Sequence, residues 1–296
     1  MIKLLIGGSP CTFWSVAQGK YRETEAEGIG WELFVNYLTA KAKFKPDFFL
    51  YENNKSAAQP IKDQISNKLG VDLLYVNSAL VSAQNRERFY AFNWKVDLPE
   101  DRGIMLQSIL ESGKVDREKS LCLAARYAGF NGSQSYLCRR YFGKSFGQAV
   151  FEGDIGEIKQ RWQENPYFES DDQNIRQLTV KECCRLQTMP DNYCDGASKA
   201  NAYKALGNGW TAEVIIHILN GALKDVPRNE EIVVLSMYDG IATGRYCLDK
   251  MGFTNVKYFA YEIDKYAKQI AMTNYPDIIQ CGDAFDLRHP DWTIGY

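Results

Sequence analysis

The chain has 296 residues, of which 45% are hydrophobic and 13% aromatic, and its formal net charge is −2. That is enough apolar material for one large domain or two modest ones. The near-neutral balance excludes a chain that grips nucleic acid by global charge, so any basic face must be local. No apolar run reaches the roughly 18 residues of a membrane span. The start, Met1 to Gly8, lacks the length and cleavage site of a signal peptide, so a cytoplasmic protein is expected.

In chain order, Leu4-Leu5-Ile6 reads as a strand that runs into Gly7-Gly8-Ser9-Pro10-Cys11. Gly30 to Ala40 reads as a helix with Leu33, Phe34, Tyr37 and Leu38 on one face. Asp47 to Tyr51 is nearly all apolar, which suits a parallel strand covered on both faces. Ile61 to Leu69 is a second helix, ended by Gly70. Leu73 to Val81 and Arg88 to Asn93 read as two neighbouring strands, expected to be antiparallel.

From Pro99 the periodicity weakens, and 99–176 is expected to form a separate lobe. Its charge is polarised. Arg117, Lys119, Arg126, Arg139, Arg140 and Lys144 stand against Glu118 alone in 117–148. Acidic residues, Asp171 and Asp172 among them, dominate 150–172. Regular structure resumes with a helix from Thr179, a plausible N-cap with Glu182 as its capping-box partner, to Gln187 before Pro190. A helix over Thr211–Leu223 follows, then a strand (Ile232–Tyr238), helix (Thr243–Met251), strand (Lys257–Tyr261), helix (Lys265–Asn274) and strand (Ile278–Cys281). Alternating strands and helices predict a doubly wound α/β sheet.

Cys11 stands where an open α/β sheet carries its reactive groups, at the carboxyl edge of a strand. The other cysteines, 122, 138, 183, 184, 194, 247 and 281, read as small buried apolar groups of a reducing compartment. None forms a C-x-x-C pair, and with only His217 and His289 no zinc site is expected. Two histidines also leave little for a Ser-His-Asp or Cys-His mechanism. Further on, Tyr238-Asp239-Gly240-Ile241-Ala242-Thr243-Gly244 closes one strand and opens a helix. Its glycines permit a tight turn and close approach of a ligand to backbone. The next two strands end in Glu262-Ile263 and in Asp283. Carboxylates at successive strand ends suit ribose hydroxyls and an adenine amino group, hence an adenosine-type cofactor. The bland alternative is that they cap helices.

Taken together these motifs resemble those of the DNA (cytosine-5) methyltransferases. Cys11 is similar to their Pro-Cys nucleophile, Glu52-Asn53-Asn54 to their Glu-Asn-Val, and Gln84-Asn85-Arg86-Glu87-Arg88 to their Gln-x-Arg-x-Arg. Leu178-Thr179 through Arg185-Leu186-Gln187 resembles Leu-Thr-x-x-Glu-x-x-Arg-Leu-Gln, and Gly207-Asn208-Gly209 resembles the Gly-Asn motif near the cofactor. The wording of the Tyr238–Gly244 loop and of Glu27-Gly28-Ile29-Gly30 is nearest the animal de novo branch and phage relatives. The order departs from the family. The nucleophile precedes the cofactor loop, as in a circular permutation cut between the third and fourth strands of the family sheet, which would bring Tyr296 close to Met1.

The resemblance implies a seven-stranded-type methyltransferase sheet built from 1–98 and 177–296, with 99–176 as target-recognition lobe. It implies methyl transfer from S-adenosylmethionine to carbon 5 of a cytosine flipped out of double-stranded DNA. A monomer is expected, without metal or membrane. Cys11 would add to carbon 6, Glu52 would share a proton with N3, Arg88 would donate to O2, and Arg86 would support the Cys11 loop. The cofactor pocket would take Tyr238, Asp239, Gly240, Ile241, Thr243, Glu262, Ile263 and Asp283, with Asn208, Gly209 and Trp210 on the methionine side. Arg126, Arg139, Arg140 and Lys144 are the candidates for DNA contact, while Tyr136, Tyr141, Phe142 and Phe146 read as lobe core. Duller roles stand beside these. Glu52 could cap a helix, Arg86 and Arg88 could form a solvated strand face, Asn208-Gly209 could be a simple turn, and Trp210 could be core. Two other functions also remain: a tRNA cytosine C5 methyltransferase and a catalytically silent DNA-binding relative.

Overall fold

The computed structural model describes residues 1–169 and 174–295, except the side chains of Ala17 and Gln18. Asp171, Asp172 and Tyr296 lie outside the described residues. In chain order the elements are Ile2–Gly7 (β1), Gly28–Phe44 (α1), Phe48–Asn54 (β2), Gln59–Leu69 (α2), Leu73–Asn77 (β3), Glu87–Phe92 (β4), Gln134–Lys144 (α3), Ala149–Phe151 (β5), Ile155–Glu164 (α4), Ile175–Gln177 (β6), Val180–Leu186 (α5), Lys199–Asn208 (α6), Ala212–Leu223 (α7), Ile232–Met237 (β7), Thr243–Lys250 (α8), Val256–Tyr261 (β8), Lys265–Asn274 (α9) and Ile279–Gly282 (β9).

Seven strands form one sheet in the order β3-β4-β2-β1-β7-β8-β9. β1, β2, β7, β8 and β9 run parallel, and β4 is antiparallel to β2. From β1 the chain winds outward one way to β2, and from β7 it winds the other way to β8 and β9. The reversal falls between β1 and β7, and a crevice opens at such a switch point beyond the carboxyl ends of the strands. The centre is apolar on both faces. Leu4, Leu5, Ile6, Val233, Val234 and Leu235 are all fully buried, each stabilising the sheet by about 1.5–3 kcal/mol.

Local signals explain the boundaries. α2 stops at Gly70, which takes the left-handed conformation (φ 72°) that glycine adopts without a Cβ penalty. α5 opens on a complete capping box between Thr179 and Glu182. The strand expected over Leu73–Val81 ends early. The Asn77 side chain accepts from the Ala79 N–H and bends Ser78–Leu80 into a 3-10 turn. α6 was not anticipated from the sequence.

Contacts divide the chain into two compact units. The first holds Met1–Val76, Glu87–Leu98 and the chain from Ile215 onward; the second holds Asn77–Arg86 and Pro99–Val214. Residues 177–214 therefore cluster with 99–176. In the second unit β5 and β6 form a small antiparallel pair over a core that includes Tyr127, Phe130, Tyr141 and Phe151. Phe142 stacks on Phe151 and packs against Trp162. In the first unit the Met1 ammonium pairs with Glu230, just ahead of β7.

Candidate functional site

The first unit gathers its chemistry by sheet register. Tyr51, Gly7, Met237, Tyr261 and Gly282 pair across five parallel strands as one row. The next residue along each strand or turn is Glu52, Gly8, Tyr238, Glu262 or Asp283. Five segments separated by long stretches of sequence therefore present their groups along one edge.

On the β1–β2 side the chain is packed tightly. A Cβ on Gly7 would stand 2.5 Å from the Met237 carbonyl oxygen, and one on Gly8 would stand 2.6 Å from the Glu52 carbonyl and 2.9 Å from Glu52 Oε2. Only glycine lets the Cys11 turn approach both flanking strands. Asn53 fixes that turn from below. Its Nδ2 donates to the Ser9 carbonyl at 2.9 Å and the Tyr51 hydroxyl at 3.1 Å, while the Ser9 and Tyr51 hydroxyls lie 2.6 Å apart. Cys11 then begins a single 3-10 turn. Its carbonyl accepts from the N–H groups of Trp14 and Ser15, and buried Trp14 donates its indole N–H to Glu23. Glu23 also accepts from the Gly30 N–H at the start of α1. Asn53 entered the sequence reading only as the middle of the Glu52-Asn53-Asn54 motif, and Glu23 was not singled out, because the contacts of both are long-range and no local pattern reveals them.

Glu52 does not cap a helix. Its Oε1 lies 3.0 Å from Arg88 Nε, with side chains only 12% and 11% exposed. Arg88 is thus no solvated face. The pair puts an acid and a hydrogen-bond fork side by side at the end of β2, next to the Cys11 turn.

On the β7–β9 side, Asp239 Oδ1 accepts from the Ser236 hydroxyl at 2.7 Å and the Tyr258 hydroxyl at 2.6 Å, while its Oδ2 is enclosed without a partner. Desolvation pushes the Asp239 carboxyl up to about 6, against the pull of those two hydroxyls. Tyr238 and Ala242 adopt positive φ, 59° and 62°. Such backbone is sparsely populated by side-chain-bearing residues and needs its surroundings to hold it. At Gly240 (φ 64°) no described heavy atom lies within 4 Å of where a Cβ would stand. Glu262 spans this loop. Oε2 accepts from the Gly240 N–H at 2.8 Å, and Oε1 accepts from the N–H groups of Ile263 and Asp264 at 2.8 and 2.7 Å. Ile241 and Thr243 are buried, whereas Ile263 is 70% exposed. Asp283 does cap a turn, accepting from the Phe285 N–H at 3.0 Å. The cap on α9 is Asp264.

The remaining candidates lie in the second unit. Arg86 is buried, and its Nη2 donates to the carbonyls of Gly207 (3.0 Å) and Gly209 (2.8 Å), its Nη1 to that of Leu123 (2.8 Å). Gln187 Nε2 donates to the Leu206 carbonyl, and Gln84 Nε2 to Gln187 Oε1 at 2.9 Å. Arg176 meets Glu182 through two hydrogen bonds of 2.9 and 3.0 Å. Arg86 and Gln187, with Gln84 behind them, build the turn that carries Asn208, Gly209 and Trp210, while Arg176 and Glu182 brace the start of α5. Asn208 is the exposed last residue of α6, and Trp210 is half-buried.

Of the basic candidates, Arg126 and Lys144 are exposed. Arg139 lies over the Tyr167 ring at 4.4 Å, and Arg140 over Phe146 at 4.0 Å. Tyr141 is fully enclosed core, whereas Tyr136 and Phe146 are half-buried. Cys138, Cys183, Cys184, Cys194 and Cys247 are buried, Cys11 and Cys281 half-buried and Cys122 exposed. Burial pushes the Cys138 and Cys281 thiols up to about 11, the behaviour of inert packing groups. Among the described residues no group of three or more His, Cys, Asp or Glu could hold a metal ion, and no helix is long and apolar enough to cross a membrane.

A family model described as C-5 cytosine-specific DNA methylase matches residues 1–121 and 137–224. The Tyr238–Gly244 loop and β7–β9 lie beyond that match. The type II methyltransferase M1.ScrFI of Lactococcus lactis subsp. cremoris is 26% identical over 255 residues, covering 77% of this chain and 64% of that protein. The type II methyltransferase M.SsoII of Shigella sonnei is 27% identical over 241 residues, covering 72% and 62%. The chain thus spans slightly under two thirds of the length of these two relatives. A crystal structure of a Spodoptera frugiperda DNMT2 mutant aligns with a TM-score of 0.47 at 16% identity, covering 73% of this chain and 78% of that one.

Proposed function

The chain belongs to the C-5 cytosine-specific DNA methylase family, and from that membership and the site's geometry we propose that it methylates carbon 5 of cytosine in double-stranded DNA, with S-adenosylmethionine as donor. The register row carries the proposal. It aligns the Cys11 turn, Glu52 and the Tyr238–Thr243 loop at the edge where the winding reverses. The residues fit an adenosine-bearing sulfonium. There is open space over Gly240, carboxylates stand at the ends of β8 and β9, and Ile263 and Phe285 offer exposed apolar surface beside them. Tyr238, Asp239, Gly240, Ile241, Thr243, Glu262, Ile263 and Asp283 would hold it, and the family resemblance adds Asn208, Gly209 and Trp210. When bound, it supplies an electrophilic methyl group.

The chain's own groups do the rest. Stacked cytosine is beyond reach of a thiol, so the base must first be extruded, at a few kcal/mol. The Cys11 thiolate forms an S–C bond to carbon 6. The carbon 5–carbon 6 electron pair moves toward N3, where Glu52 delivers a proton. The resulting enamine carries the charge to carbon 5, which would bond the methyl carbon as the donor's sulfur–methyl bond breaks and the donor leaves as a neutral thioether. A base then removes the carbon 5 proton, the double bond re-forms, N3 returns its proton to Glu52, and the Cys11 sulfur leaves. Arg88, beside Glu52, donates to O2 and stabilises charge that develops there. Residues 99–176 serve as the target-recognition lobe, with Arg126 and Lys144 best exposed for phosphates, and Arg139 and Arg140 behind their aromatic partners. The motif order is that of a permuted chain.

The test is incorporation of labelled methyl from S-adenosylmethionine into duplex DNA, with tRNA as control. Label in DNA is expected. Label in tRNA alone, or cofactor binding without label in either, would overturn the proposal. Bisulfite sequencing of DNA from expressing cells would report activity and recognised site together.

A further inference from the structure

Asn36 lies on α1 and is fully buried. Its Nδ2 donates to the Tyr238 hydroxyl at 3.3 Å, and its Oδ1 accepts from Arg288 Nε at 2.5 Å. The Tyr238 hydroxyl in turn donates to the Leu33 carbonyl at 2.7 Å. Arg288 is the last residue of the 3-10 turn that follows Asp283. Its other nitrogens meet the Glu32 carbonyl at 2.9 Å and the Glu32 carboxylate at 2.8 Å. One carboxamide thus joins the turn after β7 to the turn after β9, with α1 as their common support.

The join falls on a residue that needs holding. Tyr238 keeps a left-handed φ of 59° without being glycine. Backbone of that kind costs on the order of 1–3 kcal/mol and persists where contacts over-determine it. Two hydrogen bonds to a hydroxyl at the far end of the ring do this. Resting on the cofactor reading above, we propose that Asn36 is a positioning residue for the cofactor. Through the Tyr238 hydroxyl and Arg288 it sets the distance between the loop at Gly240 and the turn at Asp283. It touches neither cofactor nor base. Its substitution should weaken cofactor binding and leave the chemical step largely intact.

Tyr238→Phe keeps the ring and removes only the hydroxyl, so it is the variant of choice. Asn36→Ala removes the carboxamide. Calorimetry with S-adenosylmethionine should show the Kd of each rising about tenfold, the size of one lost buried hydrogen bond. The double variant should be no weaker than the worse single one, because both act through one chain of contacts. At saturating cofactor the kcat of Asn36→Ala should stay within about twofold, while its KM for cofactor tracks Kd. An unchanged Kd in Tyr238→Phe, additive losses in the double variant, or a fall in kcat without a change in KM would overturn the inference. If Asn36→Ala does not fold, Tyr238→Phe still decides it. If the unaltered protein binds no S-adenosylmethionine, it is the cofactor reading that has failed.

Discussion

The two units use their polar residues in opposite ways. In the first, the few charged groups at the strand ends converge because the sheet register leaves them no choice, and one of them, Asp239, keeps an enclosed carboxylate oxygen without a partner. In the second, Gln84, Arg86, Arg176, Glu182 and Gln187 spend their hydrogen bonds on the unit's own backbone and on one another. Both sets belong to the motifs that mark the family. Motif density is therefore a poor map of chemistry. One half of it marks the proposed reacting groups, and the other marks the frame of the second unit around the Gly207–Gly209 turn and the start of α5.

That contrast can be broken experimentally. The largest effect should come from Cys11→Ser, which should lower methyl transfer by at least about 10³-fold, since the alcohol is a far weaker nucleophile than a thiolate. Cofactor affinity should persist, and retained turnover would remove Cys11 from the reaction. In the second unit, Glu182→Ala removes the buried partner of Arg176, which keeps its pair with Glu152, and breaks the capping box of α5. It should cost about 2 kcal/mol of stability in urea unfolding, the scale of a lost cap together with charge-assisted hydrogen bonds. A loss of activity with stability intact would erase the distinction between frame and site.

Asp239 gives a pH test. Folding raises its carboxyl from the ordinary 3.8 to about 6, so the folded state favours the protonated form. The associated stability is present below pH 3.8 and is lost as pH climbs through about 6. Asp239→Asn removes this dependence. Its stability relative to the unaltered protein should increase by about 2 kcal/mol between pH 4 and 7 and then level off. A difference that is flat with pH would show that Asp239 is ionised normally. Glu262→Ala should weaken S-adenosylmethionine binding by about tenfold without unfolding the chain, because in the proposed pocket its carboxylate would meet the ribose while it accepts three backbone N–H bonds. Unchanged affinity by calorimetry would undo the ribose assignment. The smallest effect is expected for Lys144→Ala, an exposed cation. It should reduce the salt dependence of DNA binding by about one unit of slope and spare the cofactor.

Much of the first unit was legible in the sequence. The apolar runs of β1, β2, β7 and β8 admit no other reading, α9 spans the expected Lys265–Asn274, and α2 ends at its glycine. The strand-end acids could be read because one residue follows each run. What escaped was long-range pairing. Glu52 and Arg88 meet because β4 returns antiparallel beside β2, and Asn36 reaches Tyr238 across a sequence separation of 202. No local pattern encodes either. In the second unit α5 was read from its capping box, but α3, α4 and α6 escaped. α6 contains Gly207 and two asparagines, which favour turns when met in isolation, and it is held by the buried network around Arg86 and Gln187.

The central seam has a kinetic consequence. Ile2 pairs with Ile232 and Gly7 with Met237, so β1 waits for a neighbour made about 230 residues later. Closing so large a loop is entropically expensive, and ladders of such high contact order assemble slowly. Until β7 emerges, one flank of this largely apolar strand stays open to other nascent chains. Refolding from denaturant should therefore show a slow phase that reports seam closure, and yields should depend on protein concentration.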